Sequence, residues 1–162
     1  MERISKANYY LDIAQTVAKR STCLRRCYGA IIVKNDEIIS TGYNGAPRGR
    51  KNCVDLSYCT REAMKIPSGQ RYELCRSVHA EANAIISAAR RDTIGATIYM
   101  ACTDAKTGEL MAGTTSCAMC KRVVINAGIK QVIVRDTATE YTVYNVEDWV
   151  ENDDSLSGIF GY

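Results

Sequence analysis

One histidine, two prolines, one tryptophan and one phenylalanine among 162 residues are the scarcities that narrow this sequence first. A single imidazole excludes any metal centre built from several histidines, so a further site must be rich in sulfur. One Trp, one Phe and a net charge of +3 leave little material for the basic, aromatic-lined groove that holds an extruded base. No stretch approaches the ~18 uninterrupted apolar residues of a membrane helix. The N-terminus, Met1-Glu2-Arg3-Ile4-Ser5-Lys6, is charged with no apolar core behind it, which argues against a signal peptide and for a cytoplasmic protein. No internal repeat and no dividing linker appear, so residues 1–162 read as one domain, long enough to bury a core.

The charge is uneven. Residues 1–26 carry six Lys/Arg against two acids, and residues 48–76 carry seven against three. Residues 135–162 reverse this with one Arg against seven acids. A basic N-terminal half suits a small anionic ligand as well as it suits a nucleic acid, and solvated surface charge accounts for it equally.

Eight cysteines stand against these scarcities. In a reducing compartment they point to metal more than to disulfides. Two of them form Cys117-Ala118-Met119-Cys120, and the lone histidine opens Val78-His79-Ala80-Glu81. His79, Cys117 and Cys120 make three protein ligands, the number a catalytic zinc takes when its fourth position is left for water. Glu81, two residues from the imidazole, is then free to move protons. A closed structural site, in which another Cys fills the fourth position, is the competing reading of the same residues. Each donor lies at an expected helix N-terminus, where free N–H groups and the helix dipole favour anionic sulfur.

Periodicity predicts a helix over 3–20, strands over 28–33 and 38–43 around a turn at 34–37, and a loop at Asn44-Gly45-Ala46-Pro47. Residues 48–77 keep no period yet hold Cys53, Cys59 and Cys75, and a loop of that length needs a staple. A helix over 79–91, a strand over 96–101, and a Gly-rich loop over 103–115 with room for a short hairpin follow. Next come a helix over 117–127, capped by Ser116 and ended by Gly128, and a strand over 131–134. The acidic tail offers at most a short helix at 147–151. Helix and strand alternating from residue 79 onward argue an α/β layered domain with part of its sheet parallel.

His-x-Glu followed by Cys-x-x-Cys is the signature of zinc deaminases. The chain resembles the cytidine/deoxycytidylate deaminase superfamily over roughly residues 5–135, and within it the deoxycytidylate (dCMP) deaminases. The resemblance rests on residues 21–26 (STCLRR), 29–33 (GAIIV), 39–49 (ISTGYNGAPRG), 78–85 (VHAEANAI) and 126–129 (NAGI). It implies a three-layer α/β/α domain with a mixed central sheet, and zinc-dependent deamination of dCMP to dUMP and ammonia with Glu81 as the proton shuttle. It also implies that Asn44 contacts pentose or base and that Arg25 and Arg26 are candidates for the 5′-phosphate. For these three the plainer readings are a left-handed turn residue and surface charge. A second, structural zinc held by Cys23, Cys53, Cys59 and Cys75 in a stapled 48–77 insert is implied too, against the alternative of free buried thiols. Homo-oligomers, often hexamers, and regulation by dCTP and dTTP are family expectations. Another cytosine nucleotide or nucleoside, a tRNA deaminase, and a non-catalytic zinc scaffold are the competing functions. The chain departs from the family at Ser116, where Pro is usual, and at Cys27-Tyr28, where Gln-Val is usual.

Overall fold

The computed structural model describes residues 1–156. Ser5 caps α1 (Lys6–Ala18) by accepting from Asn8 N–H. Strands β1 (Arg26–Lys34) and β2 (Glu37–Tyr43) then pair antiparallel. Asn35 and Asp36 between them both adopt positive φ, as a tight hairpin turn demands. Two four-residue helices follow, α2 (Cys53–Leu56) and α3 (Thr60–Ala63), and then a 3₁₀ turn at Tyr72–Leu74. The chain continues through α4 (Ala80–Ile86), α5 (Arg90–Thr93), β3 (Thr97–Asp104) and α6 (Ala118–Asn126). Then come β4 (Gln131–Arg135), β5 (Tyr141–Asn145) and α7 (Val146–Glu151), with a 3₁₀ turn at Asp154–Leu156 last among the described residues.

Among the described residues the strands form one sheet in the order β2-β1-β3-β4-β5. Only β3 and β4 run parallel, so the sheet is mixed, as expected. On one face α1 closes a small cluster of Tyr10, Ile31 and Val33. On the other, α4 and α6 cover the larger core, which includes Ile32, Ile98, Met100, Val124, Val132 and Val134. Each such aliphatic side chain, fully buried, contributes roughly 1.5–3 kcal/mol relative to exposure.

Two glycines set how close the helices lie. A Cβ on Gly29 would collide with backbone atoms of Ala14 and Ala18 in α1, the Ala18 Cα being 2.9 Å away. A Cβ on Gly42 would collide in the same way with Ala80 and Ala84 of α4. Each helix therefore rests directly on a strand backbone.

The expected helix over 79–91 is two helices. Ser87 caps α4 and Ala89 turns extended, which lets α5 lie against the end of α6. There Arg90 Nη1 donates to the Asn126 carbonyl (2.6 Å) and Thr93 Oγ1 to that of Ala127 (2.7 Å), filling acceptors a helix C-terminus leaves open. Ser116 is not the cap of α6; Cys117 is, with its sulfur accepting from Cys120 N–H. The acidic tail holds more than a short helix. Tyr141–Asn145 forms edge strand β5, and α7 packs its Trp149 toward Tyr144 and Lys121. Its Arg135 is 2% exposed and donates to Asp12 of α1 at 2.6 Å. Residues 157–162, the rest of that tail, lie outside the described residues. The hairpin anticipated in the Gly-rich loop is present as an antiparallel bridge between Thr103 and Leu110.

Candidate metal centre

Three local devices aim α4. Gly42 admits it against β2, Ser40 Oγ donates to the Ala84 carbonyl (2.7 Å), and Asn83 Nδ2 donates to the Tyr43 carbonyl (2.8 Å). The residue before the histidine is fixed as well. Val78 and Gly45 exchange backbone hydrogen bonds of 2.7 and 3.1 Å, which ties the Asn44–Pro47 loop to the entry of α4. His79 is thus the N-cap of α4, Glu81 lies in its first turn, and Cys117 is the N-cap of α6.

His79 Nδ1 lies 3.4 Å from Cys117 Sγ and 3.3 Å from Cys120 Sγ. A tetrahedral zinc with bonds of about 2.0 Å to nitrogen and 2.3 Å to sulfur has N···S edges of about 3.5 Å. The donor set fits that ion. Among the described residues it is also the one group of three or more His, Cys, Asp or Glu donors gathered closely enough to share a metal.

The electrostatics agree. The Cys117 thiol is pulled far below its usual range, first by its hydrogen bond with Cys120 and then by His79, while Cys120 is pushed up by the same bond. Burial opposes a charged imidazole, yet contacts with Cys117 and Cys75 raise His79 to about 10. Buried donors that compete for protons at this spacing are donors a dication would relieve. Glu81 is 4% exposed, and burial pushes its carboxyl above the ordinary range.

His79, Glu81 and Cys117 open onto one cavity, which Asn44, Arg25 and Arg26 also line. Asn44 is buried and not left-handed, which removes the turn-residue reading. Its Oδ1 accepts from Tyr28 N–H (2.9 Å) and Ser21 O–H (2.5 Å), and its Nδ2 donates to the Arg26 carbonyl (2.9 Å). Arg25 is paired with Glu62 at 2.8 Å. Arg61 and Arg76 add two further guanidiniums to the wall, and Glu81 is its sole carboxylate among the described residues. Sequence reasoning missed both arginines, together with Tyr72, because all three sit in the aperiodic 48–77 span. Tyr28, the family departure, lines the cavity too, and burial raises its phenol above the usual range.

Cys23, Cys53, Cys59 and Cys75 line the same cavity without gathering into a metal-sharing group. They are near enough that Cys23, Cys75 and Cys59 add to the effect of burial in raising the Cys53 thiol. What staples the insert in this structure is hydrogen bonding. Asn52 and Asp55 form a capping box, Thr60 Oγ1 donates to the Leu74 carbonyl, and Arg76 Nε donates to that of Lys51. Cys102 is fully buried in the sheet.

Residues 4–136 match the family model described as the cytidine and deoxycytidylate deaminase zinc-binding region. The chain belongs to that family. Among its relatives is a deoxycytidylate deaminase of Mycobacterium phage D29, 37% identical over 138 residues that cover 82% of this chain and 96% of the relative. Another is a deoxycytidylate deaminase of Schizosaccharomyces pombe, 32% identical over 145 residues. That alignment takes in 90% of this chain but only 39% of the yeast protein. The deaminase fold is shared with a cyanophage S-TIM5 dCMP deaminase solved with dCMP and dUMP, at TM-score 0.55 and 23% identity, covering 92% of this chain and 91% of that one. No helix among the described residues of this deaminase-family chain is long and apolar enough to cross a membrane.

Proposed function

We propose that the chain catalyses the hydrolytic deamination of dCMP to dUMP and ammonia, supplying dUMP for thymidylate synthesis. One observation carries this reading: buried Glu81 stands beside three converging metal donors in a cavity that bears four arginines. A cavity so charged suits a phosphorylated substrate better than a free nucleoside.

Zinc held by His79, Cys117 and Cys120 would supply the Lewis acidity that makes water a nucleophile near neutral pH. Glu81 takes the proton from that water as its oxygen bonds to C4 of the cytosine, and delivers a proton to N3. It then carries the second proton to the amine as the C4–N bond breaks. The raised proton affinity of its carboxyl suits a group that must both accept and return. Asn44 spends one amide N–H on the Arg26 carbonyl, and its second N–H serves the pentose or base. Arg25 and Arg26 bind the 5′-phosphate in the forked geometry guanidinium offers, with Arg61 and Arg76 on the same wall.

The family reading carries further proposals: a second, structural zinc on Cys23, Cys53, Cys59 and Cys75, a homo-oligomer with a hexamer favoured, dCTP and dTTP as effectors, and a cytoplasmic location. Deamination assayed side by side on dCMP, CMP, cytidine, dCTP and a tRNA anticodon stem tests the main claim. Preference for dCMP is expected; preference for the RNA overturns it.

A further inference from the structure

Three side chains from separate elements stand in a column on the metal donors. The Tyr72 ring meets the His79 imidazole at 85°, with centroids 5.4 Å apart. Above Tyr72 lies the Arg61 guanidinium, 4.2 Å from the ring centroid. Arg61 is 5% exposed, and among the described residues no carboxylate comes within ion-pair distance of it. Its charge is met instead by backbone: Nε and Nη2 donate to the Gln70 carbonyl at 3.1 and 2.7 Å, and Nη2 also reaches that of Pro67 at 3.4 Å.

A buried cation met at hydrogen-bond range by carbonyl dipoles and a π-face, with the Glu73 carboxylate and Cys75 thiol acting on it from farther off, is costly to keep. These bonds tie the 67–70 turn to Arg61, whose guanidinium covers one face of the Tyr72 ring. That matters because His79 is an N-cap, so its ring projects beyond the regular helix. A ligating histidine is ordinarily oriented by a carboxylate or carbonyl on its other nitrogen. Among the described residues neither group hydrogen-bonds the imidazole; its polar contacts are sulfurs.

We propose that Tyr72 and Arg61 are positioning residues of the metal centre: the insert holds the His79 imidazole in its ligating orientation through an aromatic contact that Arg61 locks from above. The insert is thereby part of the metal site as well as the roof of the cavity. This rests on His79 being a ligand and not on the identity of the substrate.

His79 is the single histidine of the chain, so imidazole ¹⁵N resonances of histidine-labelled protein report this site alone. The zinc-loaded full chain is titrated with a chelator while the metal-bound Nδ1 signal is followed. Tyr72→Ala should lose that signal at roughly tenfold lower chelator concentration, the lower end of what outer supports of a ligand cost. Tyr72→Phe, which keeps the ring, should match the parent, and Arg61→Gln should fall between the two. Lys65→Ala, an exposed change in the same insert, should have no effect. A Tyr72→Ala protein that holds zinc like the parent overturns the proposal. Should that variant fail to fold by circular dichroism, Tyr72→Leu and Arg61→Gln decide it by the same midpoint, and parent-like values sink it. Zinc retention is read without substrate, so its outcome is independent of the deamination panel.

Discussion

The α4/α6 tips and the 48–77 insert both present cysteines to one cavity, yet only the first brings its donors within metal-sharing distance. The difference lies in what carries the side chains. His79, Cys117 and Cys120 sit on caps and first turns of helices seated on the sheet through Gly42, Ser40 and the buried core. Their spacing is a consequence of the fold. Cys53, Cys59 and Cys75 ride on four-residue helices and a 3₁₀ turn tied together by side-chain hydrogen bonds. Elements so short bury little, so their geometry is set by local bonds and by whatever they bind. A site preorganised by the core and the second zinc site proposed for the insert are therefore expected to respond differently to the same perturbations.

The sharpest separation comes from Glu81→Gln, which leaves every donor of the preorganised site in place. Zinc content should be unchanged while kcat falls by about 10²–10⁴-fold, the usual share of a positioned proton shuttle. Deamination that persists with zinc bound would remove Glu81 from the mechanism.

Next in size is a pair of glycine substitutions. Gly29→Ala and Gly42→Ala both drive a methyl into helix backbone, and each should cost about 3 kcal/mol in denaturant unfolding. Only Gly42→Ala displaces α4, so only it should also weaken zinc binding at His79. Equal zinc retention in both would mean that the donors are not held by seating of the helix on β2.

A smaller effect is expected in the insert. Cys53→Ser combined with Cys59→Ser should lower zinc from two ions per chain to one and speed proteolysis within 48–77. Deamination should fall as well, though by less than in Glu81→Gln, because Tyr72 and Arg61 of the insert stand over His79. One ion per chain in the parent would remove the second site and leave hydrogen bonds as the insert's sole staple.

The smallest change lies on the α1 face of the sheet. Tyr10 Oη donates to Asp36 Oδ1 at 2.5 Å, and that bond, with burial, raises the phenol to about 12. A folded-state pKa above the unfolded value near 10 gives stability that is present below pH 10 and lost as pH rises through 12. Tyr10→Phe should cost about 1 kcal/mol at neutral pH, and its stability should decline less steeply between pH 10 and 12 than that of the parent. A parallel decline would assign the alkaline loss to other groups.

The metal donors were legible in the sequence because their chemistry is local. His-x-Glu and Cys-x-x-Cys each fit within one helical turn, and the strands β1 to β4 announce themselves as short β-branched runs. β5 was legible in principle, since Tyr141-Thr142-Val143-Tyr144 is rich in strand-forming residues, but the surrounding acids masked it. Arg135 was read as part of an acidic tail because nothing in the order of residues shows that Asp12 and Gln15 wait for it across the sheet.

By itself, the sequence determined the ligand types, the carboxylate beside them, and the alternation of helix and strand, all properties of neighbours along the chain. Only the tertiary structure decided that Arg61 and Tyr72 stand over His79, that Asn44 spends most of its amide on backbone, and that the insert's thiols share a cavity with His79, Glu81 and Cys117. Those relations join residues from separate elements with no common period, and it is packing against the sheet that brings them together.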